Sequence, residues 1–282
     1  MITTDGKTHI KRYLAGWTPS IARSIAYGIA TDTEDGKTLG FEIGRADIRI
    51  TAYDFNDDVL IFKAILPQEL EAKLFELAIF SADSNTAAGQ WGSRGITIID
   101  SVNESWKKGA DDTASTFLDT NSRVGNDALV QDPGAGATMF DYLNDINIDL
   151  SGYSGADQFR IAYFIGNANG SASQSVRLMT DASNYYSLTW TDADTAGYHV
   201  KYIDKANAVV TGNPDWGDIN SIQLRTVGAG ATASVQWDGV RIEDFDSLNP
   251  DYVMVAHQAM ITAFDKIAGK EQEVEYAIQV NI

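Results

Sequence analysis

Three histidines, His9, His199 and His257, are scattered through a 282-residue chain that contains no cysteine. Isolated imidazoles without thiolates do not build a structural metal cage, and each one reads as a helix, strand or core-edge residue. No His-Glu-x-x-His, phosphate loop, Gly-x-Ser-x-Gly or dinucleotide fingerprint occurs. The stretch Gly134-Ala135-Gly136-Ala137 reads as a plain turn of small residues. Cleaving a glycosidic bond needs two carboxyl groups facing each other across a cleft. The most acidic part of this chain holds a single glutamate, Glu243, and no spacing singles out a pair of aspartates. The expectation is a chain that is not an enzyme.

Binding chemistry has better candidates. Tyr185, Tyr186, Trp190, Tyr198, Tyr202, Trp216 and Trp237 fall within one stretch, and an aromatic face stacks on a sugar ring or a protein equally well. In "SNYYSLTWTD" a period of two puts Tyr186, Leu188 and Trp190 on one face and Tyr185 on the other. Trp216 lies in "GNPDWGDI", a turn-rich loop where a large aromatic has less reason to be than in a strand. Trp216 and Tyr185 are therefore the candidate glycan or partner contacts. The competing reading of Trp216 is a plug at the end of a sandwich.

The chain carries a net charge of −18, which argues against nucleic acid as a partner, since phosphate neutralisation needs clustered Lys and Arg. No apolar run approaches the roughly 18 residues that span a bilayer, so no membrane is expected. Met1-Ile-Thr-Thr-Asp lacks the layout of a secretory signal, and the absence of cysteine fits synthesis in a reducing cytoplasm. Between 111 and 248 there are 19 acidic and 7 basic residues, and 18 of the acids are Asp, whereas the flanks hold 9 Glu. Asp favours turns and Glu tolerates helices. This A-B-A pattern predicts a discontinuous α+β domain, 1–110 plus 249–282, with an all-β domain, 111–248, inserted into it. The net of −12 in the insert would repel anionic cell-surface polymers and leave neutral sugars as the glycan class.

The elements follow from periodicity. Residues 5–16 read as a short helix, and "SIAYGIA", "RADIRITAYDF" and "DVLIFKAILP" as strands. "ELEAKLFELAIFSAD" begins with helix formers and ends as a strand; 96–99 adds a short β run to the first flank. The stretch before the last strand is helix-like. In "EQEVEYAIQV" the residues Val274, Tyr276, Ile278 and Val280 alternate with polar ones, a half-buried strand that should return to the N-terminal sheet. The insert divides into strands at 157–166, 174–181, 184–191, 197–203, 219–227 and 233–245, the rhythm of a sandwich or jelly roll.

The order of the flank segments, an initial helix, "AYGIA", Phe41-Glu42-Ile43-Gly44-Arg45, Ala64-Ile65-Leu66-Pro67, Glu76-Leu77-Ala78-Ile79-Phe80 and a closing strand, resembles the N-terminal domain of bacteriophage tail-collar fibre proteins over about 1–83 and 252–282. "SNYYSLTWTD", "GYHVKYID" and "VQWDGVRIEDF" resemble β-jelly-roll modules of the carbohydrate-binding and lectin-like kind. These resemblances imply a mainly β virion structural protein, a tail or neck appendage or a capsid decoration. They imply other virion proteins as partners, a homo-oligomer in the particle, and a jelly roll for inter-subunit or neutral host-glycan contact. Lectin-like sandwiches often hold calcium near the last strand. That makes Asp238 a candidate ligand for a structural Ca2+, against its reading as a turn or edge carboxylate; no other cofactor is implied. The alternative is a soluble carbohydrate-binding module with no virion role.

Overall fold

Thr3 caps the first element, α1 (Thr4–Leu14): its hydroxyl accepts from the Gly6 amide at 2.8 Å. After α1 come β1 (Ser24–Gly28), β2 (Glu42–Asp54), β3 (Val59–Leu66) and β4 (Ala72–Phe80). Next are β5 (Ile96–Ile99), β6 (Lys107–Lys108), β7 (Thr116–Leu118), β8 (Ala128–Gln131), β9 (Thr138–Ile148), β10 (Gln158–Ile165), β11 (Ser171–Asp181) and β12 (Asn184–Trp190). The chain continues with β13 (Gly197–Asp204), β14 (Val209–Thr211), β15 (Ile219–Gly228), β16 (Val235–Glu243), β17 (Met254–Lys266) and β18 (Gln272–Gln279). The computed structural model describes residues 1–18, 20–31, 38–81, 95–99, 106–109, 116–118, 121–125, 127–167, 170–191, 195–229, 234–244 and 253–279.

The protein is mainly β, with two compact units, Met1–Ile96 with Ser247–Ile282, and Thr97–Asp246. The boundaries expected at 110/111 and 248/249 lie outside the described residues. β5 hydrogen-bonds to β16, so the apolar run at 96–99 joins the second unit's strands and not the first flank's sheet.

The first unit is an α+β unit in which α1 accompanies an antiparallel sheet ordered β17-β4-β1-β2-β3-β18. The helix-like stretch before the last strand is itself a strand here, and the helix formers that begin "ELEAKLFELAIFSAD" continue the strand read at its end. Ala72, Leu74, Glu76, Ala78 and Phe80 all point inward and are buried, and β17 pairs with β4 at both ends around a bulge between Ala259 and Phe264. Helix propensity in these stretches yields to pairing within a sheet. β18 lies along the full length of β3, from Gln272 opposite Leu66 to Gln279 opposite Val59, with Val274, Tyr276 and Ile278 buried.

The two edge strands β17 and β18 are joined by only residues 267–271. An extended link of that length reaches at most about 20 Å, whereas five flat interstrand spacings need roughly 24 Å. The sheet must therefore curl towards closure. Inside it, Glu76 accepts from the amides of Ala30 (3.2 Å), Phe41 (2.9 Å) and Gly40 (2.8 Å). A Cβ at Gly28 would come within 2.4 Å of the Glu76 Oε1 and Phe41 O atoms, so glycine is required there. Arg45 donates to Glu42 at 2.7 and 2.9 Å, forming a fully buried ion pair, and lies 3.6 Å over the Phe80 ring.

The second unit is an antiparallel β-sandwich. One sheet runs β13-β10-β16-β8-β7, with β5 also on β16; the other runs β14-β12-β11-β15-β9-β6. Tyr163, Trp190 and Trp237 meet in the core between them, with ring centroids 5.6 to 6.1 Å apart. Gln131 ties the two sheets through polar bonds: its amide donates to Asp141 at 2.7 Å, and its oxygen accepts from Thr226 (2.8 Å) and the Trp237 indole (3.0 Å). Both ends of the buried Gln131 side chain thus have partners.

Candidate functional site

The β14–β6 sheet has two faces of different character. Inward-facing Val176, Leu178, Leu188, Ile222 and Leu224 are almost wholly buried. Cross-strand partners in an antiparallel sheet share a face, so the register arranges the outer side in rows, with Ser173–Val227–Thr138 towards one end. One central row runs Thr189–Ser175–Arg225–Phe140 and the next Val209–Ser187–Arg177–Gln223–Tyr142–Lys107. The third runs Thr211–Tyr185–Met179–Ser221–Asn144. No Asp or Glu occupies these rows.

The side chains on this face brace one another. Arg177 donates from Nη1 to Gln223 Oε1 at 3.1 Å, and its guanidinium lies 4.6 Å over the Tyr185 ring. Its Nε is buried and has no hydrogen-bond partner among the described residues. Arg225 sits beside it in the next row, and burial, then the charge of Arg177, lowers the pKa of its guanidinium. Phe140 and Tyr142 meet edge to face with centroids 5.6 Å apart. Ser175, Met179 and Gln223 are buried although they belong to the outer side. The face is consequently a half-buried platform of aromatic rings and planar or hydroxyl donors, not a solvated surface of flexible charges.

Tyr185 lies in this platform, opposite to buried Tyr186, Leu188 and Trp190. Trp216 does not. It is half-buried at one end of the sandwich, stacked on Tyr186 with centroids 3.6 Å apart and planes within 8°, and 5.9 Å from Phe159. Lys205 Nζ lies 4.8 Å over its ring and donates to Leu150 O at 2.9 Å and to Tyr153 O; burial lowers the pKa of this ammonium. The loop carrying Trp216 is thereby tied down from both sides.

Asp238 is buried in the other sheet. Its carboxylate accepts from Tyr198 Oη, from the amides of Arg123 (2.9 Å) and Val124 (3.3 Å) and from Ser122 Oγ (3.2 Å). This donor set clamps the 122–124 loop against the sheet. Among the described residues, no group of three His, Asp or Glu side chains could hold a metal ion. Arg177, Arg225, Gln223, Tyr142 and Phe140 were absent from the sequence candidates. The period-two parity of "QSVRLMTD" and "INSIQLRTV" could have placed both arginines opposite the apolar face.

No protein-family model and no curated protein matches the chain. Among solved structures, the chain is similar to the family 11 carbohydrate-binding module from Clostridium thermocellum in complex with a β-1,3-1,4-mixed-linked tetrasaccharide. That similarity has 7% identity and a TM-score of 0.41, covering 54% of this chain and 96% of that one. It is also similar to the family 30 module of a cellulosomal cellulase of the same organism (11% identity, TM-score 0.42, 54% and 99% covered). A further similarity is to a non-crystalline-cellulose-specific module, CBM28 (15% identity, TM-score 0.37, 54% and 96% covered).

Proposed function

We propose that the outer face of the β14–β6 sheet binds a glycan and that the chain is a non-catalytic carbohydrate-binding protein. The three-row platform supports this reading. A sugar ring offers an apolar face edged by hydroxyls, and is matched by a flat aromatic beside planar and short polar donors. Tyr185 and Tyr142 supply the rings; Arg177 and Asn144 supply hydrogen-bonding groups at fixed spacing, with Gln223 bracing Arg177 from below. Without a carboxylate in the rows there is no acid–base pair of the kind glycoside hydrolysis uses, which favours holding over cleaving. Affinity electrophoresis against a panel of soluble polysaccharides tests it. At least one polysaccharide should retard the protein, and Tyr185→Ala should weaken that binding by about tenfold, the worth of one good aromatic contact. Retardation unchanged in a Tyr185→Ala, Tyr142→Ala double variant would remove the platform from the account.

A second reading concerns the first unit, which we infer to be an assembly anchor of a phage particle, with the sandwich as a guest in one of its connections. Trp17 (80% exposed), Phe55 (87%) and Ile261 (102%) are large apolar side chains that this unit leaves in water, and a partner surface would cover them. Its partners would be other virion proteins, with the chain forming a homo-oligomer in the particle. Mass spectrometry of purified particles of the phage encoding this sequence should find the chain at many copies each. Its absence from the particles leaves the soluble alternative.

A further inference from the structure

The sandwich unit is strongly acidic, yet its proposed binding face is not. Of the 19 acidic residues between 111 and 248, none lies in the three outer rows, while Lys107, Arg177 and Arg225 do. The two guanidiniums occupy adjacent rows of neighbouring strands, β11 and β15. Arg225 donates to Thr138 Oγ1 at 3.4 Å and Arg177 to Gln223 at 3.1 Å, so both hydrogen bonds go to neutral oxygens. Neither arginine meets a carboxylate among the described residues. Two like charges held together in a half-buried setting disfavour each other, and a rigid guanidinium fork is shaped for a carboxylate or a sulfate. An uncompensated pair of this kind, with the buried Arg177 Nε proton still unused, is a site for an anion.

We propose that the glycan taken by this face is an acidic one, carrying carboxylate or sulfate groups, and that Arg177 and Arg225 read that charge. The inference rests on the glycan reading of the same face. The ring of Tyr185 beneath the Arg177 guanidinium places a stacking surface next to the cation, which suits a charged sugar better than an extended acidic peptide. The acidic total of the unit does not oppose this. Exposed charges farther away than about 8 Å are largely screened at physiological salt, so the ligand feels chiefly the local cations. The sum over the insert, which pointed to neutral sugars, describes the unit and not this face.

The test uses the full chain with four probes: polygalacturonate, dextran sulfate, a neutral mixed-linkage β-glucan and polyglutamate. One of the two acidic polysaccharides should bind, more weakly as salt rises, and the one that binds separates carboxylate from sulfate. Arg177→Gln and Arg225→Gln should each weaken that binding about tenfold at unchanged melting temperature. Arg→Lys variants, which keep the charge and lose the fork, should fall in between and serve if the Gln variants unfold. Binding of the neutral glucan alone overturns the charge assignment and leaves the glycan reading intact. Polyglutamate held as tightly as the polysaccharides overturns the glycan class in favour of a protein partner. Binding to none of the four, or acidic binding untouched in the arginine variants, also overturns the proposal.

Discussion

Burial raises the Asp238 carboxyl from 3.8 to about 6, although Tyr198, Arg123, Val124 and Ser122 all donate to it and pull the other way. Desolvation outweighs four hydrogen bonds here because the group is fully enclosed. A pKa that is higher folded than unfolded stabilises the native state below the unfolded value. That contribution disappears as pH rises through the folded one. Two pH units correspond to about 3 kcal/mol, so the melting temperature of the sandwich unit should gain a downward component between pH 4 and pH 6.5. Calorimetry on the wild type and on Asp238→Asn checks it: the difference between their profiles should carry that slope. Profiles that run parallel would mean the carboxyl keeps an ordinary pKa. The same enclosure explains why this residue, a candidate calcium ligand by its place near the last sandwich strand, is found clamping a loop. Sequence places a residue along a strand, and it does not reveal which backbone amides will come to face it.

Individual strands show where periodicity suffices and where it does not. The alternation in 272–279 is reproduced residue by residue, because a period of two is a local property that pairing only enforces. So is the split of Tyr185 from Tyr186, Leu188 and Trp190. The stretch 254–266 reads as helix-like because Met, Ala and Gln are comfortable in a helix until a neighbouring strand offers its edge, whereas the apolar end of 72–80 is legible as a strand. The turn-rich loop of Trp216 leaves a glycan contact and a plug at the sandwich end both open in the sequence; its stack on Tyr186 is a contact between residues 30 apart. Arg177 and Arg225 went unremarked because their meaning is lateral: each is ordinary in its own strand, and only the register between β11 and β15 makes them neighbours. β18 supports a prediction of its own. Burying Val274, Tyr276 and Ile278 contributes roughly 1.5–3 kcal/mol each, comparable with the entire stability of a small unit. A chain ending at Glu271 should therefore lose the cooperative unfolding of the first unit and keep that of the sandwich. Two intact transitions in circular dichroism or calorimetry would contradict the role given to this strand.

Across the chain, acidity is unevenly placed: a net charge of −18 opposes self-association, while the three named rows of the β14–β6 sheet hold no Asp or Glu. The path of the chain carries a further consequence, in time. The first unit needs β17 beside β4 and β18 beside β3, and residues 81–253 intervene before β17 is made. At translation speeds of about 5–20 residues per second, strands β1 to β4 wait roughly 10–35 s with both outer strands unpaired. The sandwich, contiguous from β5 to β16, leaves the ribosome complete in that interval. The unit that begins the chain is then the last to fold, and for that half-minute its unfinished sheet edges are the part of the nascent protein that other chains can capture.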